Sequence, residues 1–262
     1  MITSIWQYRQ FIYSSVKRDF QSRYTGSILG GSWMIFQPLA MILVYTLVFS
    51  NVMHSKLAGM DGNVYAYSIY LCAGALPWNM FNEIVMNIIN VFQVNANLLK
   101  KVSFPRICLP IISMISGVLN FSIGFLIFLF FLLLTGSFPI NSFLAFFVVL
   151  VVQLAFSLCI SIGLGVMNVF FRDIGQMMGI LLQFWFWFTP IVYPVKIIPG
   201  TLSWFLNFNP MYHLIKGYQD IFLYDRLPDF LSISAVLFFS IALGIWSLHI
   251  YRKHVGEMVD EL

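Results

Sequence analysis

The chain has 262 residues, of which 60% are hydrophobic and only 9% charged, whereas soluble domains carry roughly 25% charged residues. A water-soluble core of this length cannot hide so much apolar side chain, which excludes an ordinary globular protein. The net charge is +4, but the 14 Lys and Arg stand at the ends of the apolar runs, where they set membrane orientation and form no nucleic-acid surface.

Residues 5–23 read as an amphipathic helix. Gln7, Gln10, Ser14, Lys17, Arg18 and Gln21 share one arc, and Ile5, Tyr8, Ile12, Val16 and Phe20 recur on the opposite one. Its basic side suits anionic headgroups, so the helix is expected to lie in the membrane interface. Arg9, Lys17, Arg18, Asp19 and Arg23 interrupt any signal-peptide core, and the N-terminus is expected to stay attached.

Membrane spans are expected at roughly 32–54, 65–90, 174–192 and 229–251. Two more lie within Ile107–Phe171, a run without Asp, Glu, Lys, Arg or His that exceeds twice the ~20 residues one crossing needs. Gly136, Pro139 and Asn141 mark the turn between them. Before that pair, Gln93–Pro105 allows about two turns of helix, stopped by the proline. Six spans place Arg9, Lys17, Arg18, Arg23, Lys100, Lys101, Arg106, Arg172, Arg252 and Lys253 on one face and Lys56, Lys196, Lys216 and Arg226 on the other. The excess sets both termini in the cytoplasm. Between Pro190 and Pro228 the outer face is too apolar for a solvated loop and too broken for a span. Two short re-entrant helices lining the outer end of a pathway are expected there, the alternative being a loop on the headgroups.

No G-x-x-x-x-G-K-[ST], H-E-x-x-H or G-x-S-x-G occurs, and Cys72, Cys108 and Cys159 sit singly in apolar surroundings. Asp225 and Asp229 share an outer loop with Arg226 and are expected to be solvated or locally paired. Glu83 is a carboxylate well inside a span, and Asn79, Asn82, Asn87 and Asn90 extend a polar stripe from it. The stripe faces either a pore or neighbouring helices, and both readings are open. In Phe184–Phe188, Trp185 and Trp187 belong either to an interfacial aromatic belt or to a surface on which sugar rings slide.

Five segments in order resemble type-2 ABC exporter permeases. They are Arg18–Tyr24 with Ser27–Trp33 and Gln37-Pro38; Asn97–Arg106 with Leu109-Pro110; Phe171–Gln176; Thr189–Pro194; and Asn207–Met211. Within that class the fit is to O-antigen (lipopolysaccharide) polysaccharide export permeases, with teichoic-acid and capsule exporters as neighbours. The resemblance implies an all-α integral membrane protein with six transmembrane helices, an N-terminal amphipathic interface helix and two re-entrant outer helices. It implies a single transmembrane domain over 1–262, divided as interface helix 1–30, spans one to five 31–192, re-entrant segment 193–228, and last span with cytoplasmic tail 229–262.

The implied assembly is a homodimer in the bacterial inner membrane with two ATP-binding cassette subunits. ATP and Mg belong to those partners, and this chain carries no cofactor, metal or catalytic residue. The implied substrate is polysaccharide linked to undecaprenyl diphosphate. Asn95, Asn97, Leu98, Leu99, Lys100, Lys101 and Phe104 would couple to the ATPase, together with Arg172 and Asp173, which otherwise pair locally. Arg18, Arg23 and Tyr24 would meet the lipid diphosphate, simple anchoring to anionic lipid being the alternative for the two arginines. Glu83, Asn79, Trp185 and Trp187 would line the channel, and Pro190, Tyr193, Pro194, Asn209 and Pro210 the outer gate. An integral-membrane sugar transferase and a secondary carrier are the competing readings.

Overall fold

The computed structural model describes residues 6–22, 29–47, 65–101, 104–195 and 199–261. Its helices are α1 Arg9–Ser22, α2 Trp33–Tyr45 after a 3-10 turn, α3 Ala66–Val94, α4 Ala96–Lys101, α5 Cys108–Leu134 and α6 Phe143–Phe170. They continue with α7 Asp173–Phe188, α8 Gly200–Asn207, α9 Pro210–Tyr224, α10 Phe230–His254 and the short α11 Met258–Glu261. No strand occurs among the described residues. Among the described residues three helices are long and apolar enough to cross a membrane: α5 with 27 residues, α6 with 28 and α10 with 25. At 1.5 Å per residue even α10 is about 38 Å long, against a hydrocarbon core of about 30 Å. The segment expected at 32–54 starts as α2, and its end lies outside the described residues.

α3 is the axis of the bundle. Its 29 residues include Pro77 and the Asn/Glu stripe, and α5, α6, α7 and α9 pack around it. Phe81, Ile84, Val85, Ile88, Ile89 and Phe92 are wholly buried there. α10 packs against α6, while α1 and α2 pack against α5. The amphipathic pattern of α1 is used as its periodicity demands: Ile12 and Val16 are buried, and Lys17, Arg18 and Gln21 are exposed.

Two glycines let α6 approach both neighbours. A Cβ on Gly165 would meet the Ile88 carbonyl oxygen of α3 at 2.8 Å, and one on Gly163 would meet Ser247 Oγ and the Trp246 ring of α10 at 2.6 Å. Backbones this close gain dispersion contacts that larger side chains would prevent. Inside the bundle most buried polar side chains are answered by protein, the hydroxyls of Ser68 and Ser116 being exceptions among the described residues. Gln153 Nε2 of α6 donates to the Pro77 carbonyl at 2.7 Å, and its Oε1 accepts from the Tyr218 hydroxyl of α9 at 2.7 Å. Both side chains are fully buried, so one hydrogen-bonded chain joins α9, α6 and α3.

Between Pro190 and Pro228 the described residues include two helices, α8 and α9. α9 buries Met211, Leu214, Ile215, Tyr218 and Ile221 completely, against α3 and α6. The expected turn between α5 and α6 is present, with Gly136 at φ 65°, a conformation glycine adopts without steric cost. Asp225, at φ 48°, ends α9 and aims its carboxylate at the start of α6. It accepts from Ser142 N at 3.0 Å, Ser142 Oγ at 2.8 Å and Asn141 Nδ2 at 2.6 Å. Ser142 does not cap α6 with its own side chain, so a carboxylate from another element satisfies the helix start. Asp229 caps α10, accepting from Leu231 N at 3.1 Å and Ser232 Oγ at 2.6 Å.

Desolvation raises the Asp225 carboxyl, but the hydrogen bonds from Ser142 and Asn141 outweigh it and hold the group below the usual carboxylate range. The clasp therefore contributes fully above the unfolded value of about 3.9 and is lost as pH falls through the lower folded-state value. Asp225→Ala is expected to lower the thermal midpoint in detergent by about 2–4 °C at pH 7, and by less near pH 3. Equal losses at both pH values would show that the carboxylate charge contributes nothing. Gly165→Val is expected to prevent recovery of folded protein from membranes, whereas a normally folded variant would contradict the backbone approach.

Candidate functional site

Two groups of candidate side chains lie at opposite ends of the bundle. At the end rich in Lys and Arg, α3 stops at Asn95, whose Nδ2 bonds back to the Val91 carbonyl at 2.8 Å. The Asn95 carbonyl then accepts from Leu98 N and Leu99 N, both at 3.0 Å, so α4 begins without a break. Leu99 is buried, Leu98 half-buried, and Asn97, Lys100 and Lys101 exposed. Phe104 packs on Phe11 of α1 with ring centroids 5.1 Å apart. Leu99 and Phe104 thus hold α4 to the body, and its polar side faces outward.

Beside α4, a cleft of about 410 Å³ opens between α1, α3 and the first turns of α5. Arg18, Asp19, Asn87, Asn90, Asn95 and Leu98 are among its lining residues. Arg18 is exposed at its mouth. Arg23 and Tyr24 lie outside the described residues. A second hollow of about 260 Å³ brings Arg172 together with Gln93, Ala96 and Glu261 of the C-terminal turn. Arg172 and Asp173 are both exposed, and Asp173 sits in the first turn of α7, where the helix dipole favours a carboxylate.

Asn168 ties this reversal to α3. Its Oδ1 accepts from Gly175 N at 2.8 Å, its Nδ2 donates to the Ile89 carbonyl at 3.1 Å, and its own carbonyl accepts from Gln93 Nε2 at 2.6 Å. Midway along the bundle, Glu83 accepts from Asn120 Nδ2 of α5 at 2.8 Å. It lines a cavity of about 90 Å³ with Gln37, Asn79 and Asn120. Asn79 is exposed, and its Nδ2 lies 3.8 Å from Met41 Sδ.

At the other end the chain leaves α7 through Thr189-Pro190-Ile191, all buried. Asn209 is the centre of a knot here. Its Oδ1 accepts from Trp185 Nε1 at 2.7 Å and Met211 N at 3.1 Å, and its Nδ2 donates to Thr189 Oγ1 at 3.0 Å. Asn209 caps α9, whose first residue is Pro210, the arrangement that N-cap and N1 preferences favour. Three side chains secure the non-helical backbone that follows Thr189. Tyr70 lies 2.9 Å from the Pro190 carbonyl and 2.8 Å from that of Tyr193, Tyr67 donates to the Val192 carbonyl at 2.5 Å, and Gln219 Nε2 to the Pro190 carbonyl at 3.2 Å. Carbonyls without helical donors are thereby satisfied within the protein.

Trp185 is half-buried and its ring packs on Phe81 at 5.6 Å and Trp78 at 6.3 Å, so it holds the knot. Trp187 is exposed, and its carbonyl accepts from the Tyr193 hydroxyl at 2.5 Å. Pro194 is half-buried just beyond. The exposed Phe188 meets Phe205 of α8 at 5.8 Å, continuing an aromatic surface at this end. Sequence reasoning assigned no individual role to Asn168, Gln93, Gln153, Tyr67, Tyr70, Thr189 or Gln219. Their signal was polarity inside or beside an apolar helix, where an unanswered group is costly. Among the described residues no group of three or more His, Cys, Asp or Glu could hold a metal.

Residues 10–223 match the family model described as ABC-2 type transporter. The chain is 32% identical to the O-antigen export system permease protein RfbA of Myxococcus xanthus, over 100% of this chain and 99% of that relative. It is 29% identical to a protein of the same name from Klebsiella pneumoniae, over 90% and 88% of the two chains. Similarity to the polysialic acid transport protein KpsM of Escherichia coli is 23% over 92% of each. The family match runs from α1 almost to the end of α9 and takes in both groups of contacts, and on that ground the chain belongs to the ABC-2 type transporter family.

Proposed function

We propose that this chain is the permease subunit of an ATP-driven ABC exporter that moves undecaprenyl-diphosphate-linked O-antigen polysaccharide from cytoplasm to periplasm. Two copies form the channel and two ATP-binding cassette subunits dock beneath it. The observation that carries this reading is α4, a short helix anchored by Leu99 and Phe104 with Asn97, Lys100 and Lys101 turned outward. In a chain without a P-loop, such a helix is a handle for a partner that supplies the driving force. Full-length similarity to O-antigen export permeases supports the substrate class, and the weaker similarity to a polysialic acid transporter makes capsule or teichoic-acid polymers the alternative.

In this reading α2, α3, α5, α6, α7 and α10 cross the inner membrane, and α8 and α9 enter from the periplasmic side and return. The Lys/Arg-rich end is cytoplasmic, as the positive-inside rule requires. ATP and Mg stay on the partner, where hydrolysis drives the cycle. On this chain, Arg18 at the mouth of its cleft, with Arg23 and Tyr24, attracts the lipid diphosphate. Exposed Asn79 and Trp187 offer contacts to passing sugar, while Glu83 and Trp185 act by holding their neighbours in place. Pro190, Tyr193, Pro194, Asn209 and Pro210 form the outer gate, whose knot must rearrange for a polymer to leave.

Deletion of the gene is expected to remove O-chains from the cell surface while undecaprenyl-linked polymer accumulates inside, and complementation restores the surface. Polymer never made would point to a transferase. Reversing charge at Lys100 and Lys101, or Leu98→Asp, is expected to lower copurification of the ATP-binding subunit or its stimulated ATP turnover. Normal export by those variants would remove α4 from the docking surface. Arg18→Glu, inserted at normal levels, is expected to reduce export at least about fivefold, the scale of a lost charge-assisted contact, and unchanged export would contradict the phosphate role.

A further inference from the structure

Buried polar contacts at the basic end converge on Asn168, which is wholly shielded from solvent. Besides its bonds to Gly175, Ile89 and Gln93, its Nδ2 lies 3.3 Å from Asn90 Oδ1, and Asn90 Nδ2 donates to the Met86 carbonyl at 2.9 Å. Gly175 N belongs to the first turn of α7, where backbone donors lack a partner within the helix. Arg172, the residue before that helix, gives no side-chain cap. One carboxamide therefore closes the α6–α7 reversal and fastens it to the last turns of α3.

The fit is close. A Cβ at position 175 would stand 2.9 Å from Asn90 Oδ1 and 3.3 Å from both Asn168 amide atoms. α4 hangs from the same turns of α3, since its first amides bond to the Asn95 carbonyl. Along the rest of their length α3 and α7 meet through Gly179 beside Met86 and through the Trp185 and Phe186 rings against Phe81 and Trp78, contacts without fixed direction. Hydrogen bonds are directional and set a register, whereas dispersion contacts permit sliding.

We infer that Asn168 is a positioning residue that makes α4 and the first turn of α7 move as one body. A displacement imposed on α4 is thereby delivered along α7 to Trp185, Asn209 and the Pro190 segment at the opposite end. Without that fastening, α4 still moves with its partner but α7 slips on α3, and the outer gate receives nothing. The inference rests on the exporter reading. It requires a side chain that donates and accepts at once. Aspartate cannot donate to the Ile89 carbonyl and would bury a charge, and leucine of similar size does neither.

The test uses the full permease–ATPase complex in lipid nanodiscs, with spin labels at exposed Asn97 on α4 or exposed Phe188 at the far end of α7. Distances between the two copies are measured with and without ATP. In the otherwise native complex ATP is expected to shift both distributions. In Asn168→Leu, and in Asn168→Ser, whose shorter polar side chain cannot reach Gly175 N and the Ile89 carbonyl together and which keeps the test open if Asn168→Leu fails to fold, the Asn97 shift persists. The Phe188 shift disappears, and export falls at least about fivefold, the lower end of typical coupling between sites, while ATP turnover stays within about twofold of the unsubstituted complex. A Phe188 shift retained in the folded variants overturns the inference and leaves the exporter reading standing. No ATP response at Asn97 in the unsubstituted complex overturns the exporter reading, and this inference with it.

Discussion

Polar groups carried into the middle of this bundle need partners in protein, because a hydrocarbon surround offers none. α3 imposes that constraint on the rest of the chain. It carries Pro77 in the centre of the assembly and a polar stripe from Asn79 to Asn90 of which Asn79 and Asn82 are exposed, and the helices around it answer the inward groups. α6 answers with Gln153 and Asn168, α5 with Asn120 and α9 with Tyr218. A hydrogen bond between membrane helices contributes only about 0.6 kcal/mol on average, so these contacts are not the main source of stability. They fix rotation and register, which dispersion forces between Leu, Phe and Val leave free.

Register in turn links the ends. The same helix that carries Tyr67 and Tyr70 to the Pro190 segment carries Gln93 to Asn168 and then continues into α4. α7 runs alongside, fastened by Gly175 at one end and by Trp185 at the other. An exporter must convert a push at its cytoplasmic face into opening at its periplasmic face. Two antiparallel helices fastened at both ends and smooth between them are a mechanical arrangement suited to that task.

Much of this was legible in the sequence wherever one residue type decides the outcome locally. The uncharged run from Ile107 to Phe171 gave two helices and Gly136 their turn. The amphipathic arc of α1 was readable for the same reason. What could not be read depends on helix rotation, which hydrophobicity does not fix. Asp225 shared a loop with Arg226 and Asp229, yet its partners are Asn141 and Ser142, far away in the chain. Trp185 stood in an aromatic run that allowed a belt or a sliding surface, and packing turned its ring inward onto Phe81. Leu99 and Phe104 looked like surface contacts, yet Leu99 is buried and Phe104 packs on Phe11.

The most direct measurement is transport by purified components. The permease and its ATP-binding subunit would be reconstituted in inside-out vesicles with a radiolabelled, undecaprenyl-linked glycan on the outer leaflet, and the fraction protected from an added glycosidase followed over time. Protection that rises with ATP and not with a non-hydrolysable analogue is the predicted result. Protection that appears at the same rate without ATP, or never appears while ATP is consumed, would contradict the account.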